Sequence, residues 1–82
     1  MIYHLAYYKS RIGNLEESME AARVMIVTTR NEFGRLLYDL NLSMTDLRSM
    51  IFVDVWETRE ALAAHFETPH MAVWRKSSDG YF

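Results

Sequence analysis

Asp54 and Trp56 stand at i and i+2 in the run MIFVDVWE, so on an extended strand both side chains point to one face together with Met50 and Phe52. A carboxylate beside an aromatic wall is useful chemistry: burial raises its pKa, so that it acts as a base or donates a hydrogen bond to a substrate oxygen. The alternative is a core Trp56, with Asp54 meeting a helix terminus or an arginine. His65 and His70 lie five apart with Pro69 between them. They do not form the i, i+4 pair that grips a metal on one helix face, and no metal site is expected. A neutral imidazole near pH 7 still takes a proton from a weakly acidic substrate group or hydrogen-bonds a substrate oxygen. In structural roles, His65 would sit half inside the core and His70 would cap the helical segment after Pro69. Trp74, four residues after His70, shares its helical face and would line a cavity or close the core. His4 shares a strand face with Ile2, Ala6 and Tyr8, opposite Tyr3, Leu5 and Tyr7, and is read either as a ligand-facing imidazole or as a structural one.

The elements that must position these residues follow from periodicity. Met1 to Tyr8 is aromatic and aliphatic, too short for a typical helix, and reads as a strand. Asn14 stands where a helix cap belongs, with Glu17 placed to return a hydrogen bond to it. Leu15, Met19, Ala22 and Ile26 then draw an apolar stripe along a helix expected to end near Gly34. Arg35 to Leu42 has period two, with Leu36, Tyr38, Leu40 and Leu42 on one face. Ser43 to Ser49 reads as a hairpin loop and Met50 to Glu57 as a central strand. Thr58 is expected to cap a second helix, which Pro69 breaks into a further segment from about His70 to Ser77, ended by Gly80. Strand, helix, strand, strand, helix is most of an α+β ferredoxin-like plait, with its fourth strand short or missing because only Tyr81 and Phe82 follow Gly80.

Composition narrows the function classes. Eighty-two residues without a Pro/Gly/Ser-rich linker make one domain, 1–82, whose small core makes dimerisation a plausible source of extra burial. A formal net charge of −2 leaves no basic field for nucleic acid or an anionic membrane. No cysteine means no disulfide, thiol nucleophile or thiolate metal site, and a cytoplasmic setting fits. There is no membrane-length apolar run, signal-peptide pattern, Gly-rich phosphate loop or nucleophile elbow.

The segment Val53 to His70, VDVWETREALAAHFETPH, resembles the signature of the antibiotic biosynthesis monooxygenase domain, in which an acidic-x-Trp strand end leads into a helix and then a His, a short gap, Pro and His. Gly34 to Leu40, with Tyr38 four residues after the Gly, resembles its second strand, and Arg11 to Glu17 its turn into the first helix. The family's acidic residue is more often Glu and here is Asp54, while Leu37 replaces a commonly polar residue. The resemblance implies a dimeric α+β barrel, two plaits packed sheet to sheet, each with a ligand cavity between sheet and helices. It does not imply one reaction, since the family includes cofactor-free monooxygenases of quinols and phenols, heme degraders, an isomerase and proteins of no known activity. The heme degraders resemble one another in an Asn on strand one, which MIYHLAYY lacks, so heme is disfavoured and no cofactor is expected.

The expected function is therefore cofactor-independent oxidation of a quinol or phenolic small molecule by O2. Asp54, His65 or His70 would serve as the base, and Trp56, His4, Trp74 and Tyr38 would bind the substrate. The other readings are an acid-base isomerase of the same superfamily and a non-catalytic dimeric ligand-binding module. If the fourth strand is missing, residues 1–8 become a sheet edge that a partner subunit must cover.

Overall fold

Along β1 (Ile2–Lys9) half-buried and exposed residues alternate without a break, as a strand with one covered face requires. The computed structural model describes residues 1–82. After β1 come α1 (Leu15–Thr29), β2 (Arg35–Leu42), β3 (Ser49–Trp56), α2 (Arg59–Phe66) and α3 (Pro69–Tyr81). The sheet order is β1-β3-β2 with both pairings antiparallel, so β3 is central, as its continuous apolar run implies. The sheet is α+β and ferredoxin-like but not closed. The residues after α2 form helix to Tyr81 rather than a fourth strand, which leaves β1 an edge.

Register settles which face of each strand meets the helices. His4 pairs with Asp54 and Ala6 with Phe52, while on the other side Tyr38 pairs with Asp54 and Leu40 with Phe52. The row His4, Asp54, Tyr38 thus crosses the whole sheet on its helix-covered side. The core under the helices is built from Ala22, Met25, Tyr38, Phe52, Trp56, Met71 and Trp74. The opposite face stays bare, with Tyr3 70% and Tyr7 76% exposed and Leu5 and Leu37 also exposed.

Several boundaries differ from expectation, each for a local reason. The buried stripe of α1 is Ser18, Ala22, Met25 and Thr29 rather than Leu15, Met19, Ala22 and Ile26. Ser18 tolerates burial because its hydroxyl donates to the Asn14 carbonyl at 2.7 Å and meets the Ser10 hydroxyl at 2.8 Å. Asn14 occupies the cap position without a side-chain cap bond. The helix stops at Thr29, and turns through Arg30 to Phe33 separate it from Gly34. In β2 the register shifts between Arg35 and Leu37, which leaves Leu36 exposed rather than on the covered face with Tyr38. Gly80 lies inside α3 instead of ending it.

The entry to α2 has the expected Thr58 cap, whereas α3 starts at Pro69 and is capped by Thr68 rather than His70. Thr58 accepts from the Ala61 amide at 3.1 Å, and Thr68 caps α3 by accepting from the Met71 amide at 3.3 Å, with Pro69 in the first turn where no amide is needed. Gly34 has φ +81, and a Cβ there would lie 2.6 Å from the Cβ of Ala61. The missing Cβ lets the Gly34 backbone approach Ala61 closely, and the Glu57 amide, donating to the Gly34 carbonyl at 2.7 Å, holds the start of β2 against the entry to α2. At the other end Arg11 ties the α1 approach to α3. Its guanidinium donates to the Asp79 carbonyl at 2.8 Å and the Phe82 carbonyl at 3.1 Å, and its amide to the Tyr81 carbonyl at 2.9 Å.

Candidate functional site

Between the His4–Asp54–Tyr38 row and the helices lies a cavity of about 170 Å³. β1 contributes His4, Ala6 and Tyr8, β2 contributes Tyr38, β3 contributes Phe52 and Asp54, and the helices contribute His65, Phe66, Met71 and Trp74. The walls are largely apolar with a few polar groups, the usual composition of a small-molecule site. A larger hollow of about 420 Å³ at the far end of the sheet, around Tyr7, Leu42 and Met50, contains neither a carboxylate nor an imidazole.

Two imidazoles face this cavity, and each is held by a carboxylate. Asp54 is 2% exposed and both its oxygens are engaged: Oδ1 lies 3.1 Å from His4 Nδ1 and Oδ2 accepts from Trp56 Nε1 at 2.6 Å. A carboxylate acceptor on Nδ1 selects the tautomer in which that nitrogen carries the proton, which leaves Nε2 of His4 as a lone-pair base. His65, also 2% exposed, meets Oε2 of Glu32 at 2.7 Å through Nδ1, and the same logic frees its Nε2. The ring of His65 packs against Trp56 at 4.7 Å between centroids and against Tyr38 at 5.5 Å.

Two tyrosines complete the lining. Trp74 Nε1 donates to the Tyr8 hydroxyl oxygen at 3.2 Å, so the Tyr8 proton remains free for another acceptor. Burial, and secondarily the negative charge of Asp54, push the Tyr38 phenol well above its ordinary ionisation range. Tyr38 therefore stays a neutral hydroxyl at any physiological pH.

The structure brings Asp54, His65, His4, Trp74 and Tyr38 to one cavity. It does not bring His70 or Trp56 to the lining. His70 does not cap α3, because Thr68 does; instead its Nε2 lies 2.7 Å from the same Glu32 oxygen that holds His65. A five-residue spacing would put the two histidines on different faces of one continuous helix, whereas the break at Pro69 lets both turn onto one carboxylate. Trp56 is fully buried behind Asp54 and His65 and supports them both. Glu32, Tyr8 and Phe66 were not marked by the sequence. Glu32 stands 33 residues from His65 and 38 from His70, a separation that no local pattern bridges.

An open three-stranded α+β sheet with helices over one face and a largely apolar cavity beneath them defines a ferredoxin-like fold. Residues 1–77 match the model of the antibiotic biosynthesis monooxygenase family, and the chain belongs to that family. Its fold superposes with a TM-score of 0.94 on a provisionally assigned antibiotic biosynthesis monooxygenase from Nitrosomonas europaea, 26% identical, over 99% of this chain and 85% of that one. The protein Rv0793 of Mycobacterium tuberculosis superposes with a TM-score of 0.91 at 24% identity, over 98% and 81% of the two chains. An uncharacterized protein of Synechocystis sp. is 34% identical over 55 residues, or 67% of this chain. The matched stretch spans only 37% of that relative's length. No helix is long and apolar enough to cross a membrane.

Proposed function

We propose that this chain oxidises a single-ring phenol or hydroquinone with O2, without a metal or organic cofactor in the cavity. The observation that carries this reading is the pair of carboxylate-held imidazoles, His4 and His65, on one apolar cavity of about 170 Å³. Apolar cavities of roughly 150 Å³ accept a benzene ring. One substituted ring therefore fits, whereas a heme macrocycle or a fused polycycle exceeds the space.

His4 Nε2 takes the phenolic proton, and Asp54 positions His4 and stabilises the imidazolium that forms. The electron-rich anion passes electrons to O2 and forms a ring C–O bond, giving a hydroperoxide. Its O–O bond then breaks with loss of water, assisted by proton delivery from His4 or His65. For a hydroquinone the balance is quinol plus O2 to hydroxyquinone plus water, with the ring supplying all four electrons. The Tyr8 hydroxyl, whose proton Trp74 leaves free, is a donor suited to a phenolate oxygen, and Tyr38, Phe52, Phe66 and Trp74 exclude bulk water.

The bare sheet face supports a homodimer joined sheet to sheet, with Tyr3, Leu5, Tyr7 and Leu37 buried in the contact and the β1 edge covered by the partner. Two imidazoles on one cavity also suit an isomerase that moves a proton between two carbons of a carbonyl compound. Aerobic incubation with a panel of substituted hydroquinones, followed on an oxygen electrode, separates the readings. Oxygen uptake above the buffer blank that falls in His4→Ala supports oxidation. Turnover of a carbonyl substrate without oxygen uptake supports the isomerase, and a flat trace across the panel rejects oxidation.

A further inference from the structure

Glu32, His65 and His70 form a cluster that lies behind the cavity wall, and neither Glu32 nor His70 lines the cavity itself. Their donor atoms, the Glu32 carboxylate oxygen, His65 Nδ1 and His70 Nε2, all lie within 4.8 Å of one another. Both imidazole nitrogens converge on the single oxygen Oε2 at 2.7 Å each. We infer that this cluster is a binding site for one zinc ion, held by two imidazole nitrogens and one carboxylate oxygen with water as the fourth ligand.

Three features of the chain make the convergence a built one. The Glu32 amide donates to the Thr29 carbonyl at 2.9 Å, which fixes the residue in the turn that leaves α1. Thr68 holds the break between α2 and α3 from both sides, donating to the His65 carbonyl at 2.7 Å and accepting from the Met71 amide at 3.3 Å. That break rotates His70 back onto the His65 side, which a continuous helix with the same spacing would not do. The donor set is the one zinc favours outside thiolate sites, and zinc prefers four ligands at roughly 2.0 to 2.1 Å. Tetrahedral geometry at those lengths sets donors roughly 3.3 Å apart. Each 2.7 Å contact must then open by about 0.6 Å while the two imidazole nitrogens, within 4.8 Å of each other, close toward that spacing, which takes rotation of the imidazole rings as well as of the Glu32 side chain. With 14% of the Glu32 side chain and 18% of the His70 side chain exposed, the cluster is open to an ion from solvent on that side while His65 seals it from the cavity.

The site would be structural. It joins the α1–β2 connection to α2 and to α3, three parts of a small chain that contains no cysteine to cross-link them. Zinc on Nδ1 of His65 would place the ring proton on Nε2, so the two readings share this imidazole, but zinc uptake is measured apart from oxygen consumption and either can fail alone.

Chelator-stripped protein titrated with Zn²⁺ against a chromophoric chelator is expected to take up one ion per chain. Its Tm should rise by on the order of 10 °C at a free zinc concentration about a hundredfold above Kd. Co²⁺ in place of zinc should give the visible absorption of a four-coordinate site. The decisive variant is Glu32→Gln, whose amide oxygen still accepts from both imidazoles but ligates zinc poorly. It should keep the far-UV circular dichroism of the parent and lose affinity by at least the roughly 10- to 100-fold that even outer-shell changes cost. His70→Ala should do the same, and His4→Ala should bind as the parent does. The proposal is overturned if the parent takes up no stoichiometric ion, if folded Glu32→Gln binds zinc as tightly as the parent, or if uptake is lost with His4 instead.

Discussion

His4 Nδ1 lies 3.1 Å from Oδ1 of Asp54, and the two residues are directly opposed in the β1–β3 pairing. A strand pairing, the most rigid relation between two residues distant in sequence, thus sets the geometry of an imidazole and the carboxylate that orients it. Asp54→Asn keeps an acceptor for Trp56 but turns an amide N–H toward His4, which selects the opposite tautomer and leaves Nε2 protonated. Quinol oxidation should fall by about 10²-fold or more while the circular dichroism is unchanged. An unaffected rate in Asp54→Asn would remove His4 from the proposed mechanism.

Trp56→Ala should cost about 3 to 5 kcal/mol in urea unfolding, through the cavity left at a fully buried indole and the loss of the donor to Asp54. A loss below about 1 kcal/mol would mean that neighbouring side chains collapse into the space.

Tyr38 gives the fold an alkaline limit. Its folded-state pKa is raised above the value of 10.0 that holds when it is unfolded, so the folded state keeps the proton longer. The contribution is complete below pH 10 and is lost as pH rises from there toward the folded value. In an ultraviolet titration, one of the five tyrosines should resist ionisation until the protein unfolds, and Tyr38→Phe should remove that laggard.

Gly34→Ala should lower Tm sharply. A left-handed backbone costs an alanine about 1 to 2 kcal/mol, and the overlap with Ala61 adds about 1 to 3 kcal/mol. Pairing it with Ala61→Gly should recover the second part only.

Leu5→Glu together with Tyr7→Lys should convert a sheet-to-sheet dimer to monomer in sedimentation without loss of the helical signal, because both side chains point away from the helices. A parent that already sediments as a 9.7 kDa monomer at tens of micromolar would refute the dimer.

Much of this architecture is legible in the residue pattern because the relevant signals are local. Period-two alternation marks β1, Thr58 announces α2, and Pro69 after Thr68 resets the helix into α3. The strand order follows from β3 being the most apolar run. The Asp54 and Trp56 relationship is also local, at i and i+2. What stays hidden is non-local or depends on polar satisfaction. The face of β1 that meets the helices is set by its register with β3, not by β1 itself. Ser18 replaces Met19 in the buried stripe of α1 only because Ser10 and the Asn14 carbonyl receive it. Glu32 falls in a stretch that hydrophobic spacing extends into the helix, whereas the chain has already turned by then.

Asp54 has no oxygen to spare: one belongs to His4 and the other to Trp56. The three positions are therefore coupled, and a change at one is expected to require a change at another. A drift at His4 or Trp56 alone strands a buried acceptor, and a drift at Asp54 alone strands the indole N–H, so each first step is selected against whatever the second would restore. Descendants that abandon the arrangement should be found to have exchanged at least two of the three together, and reconstructed single-step intermediates should be less stable than either end point.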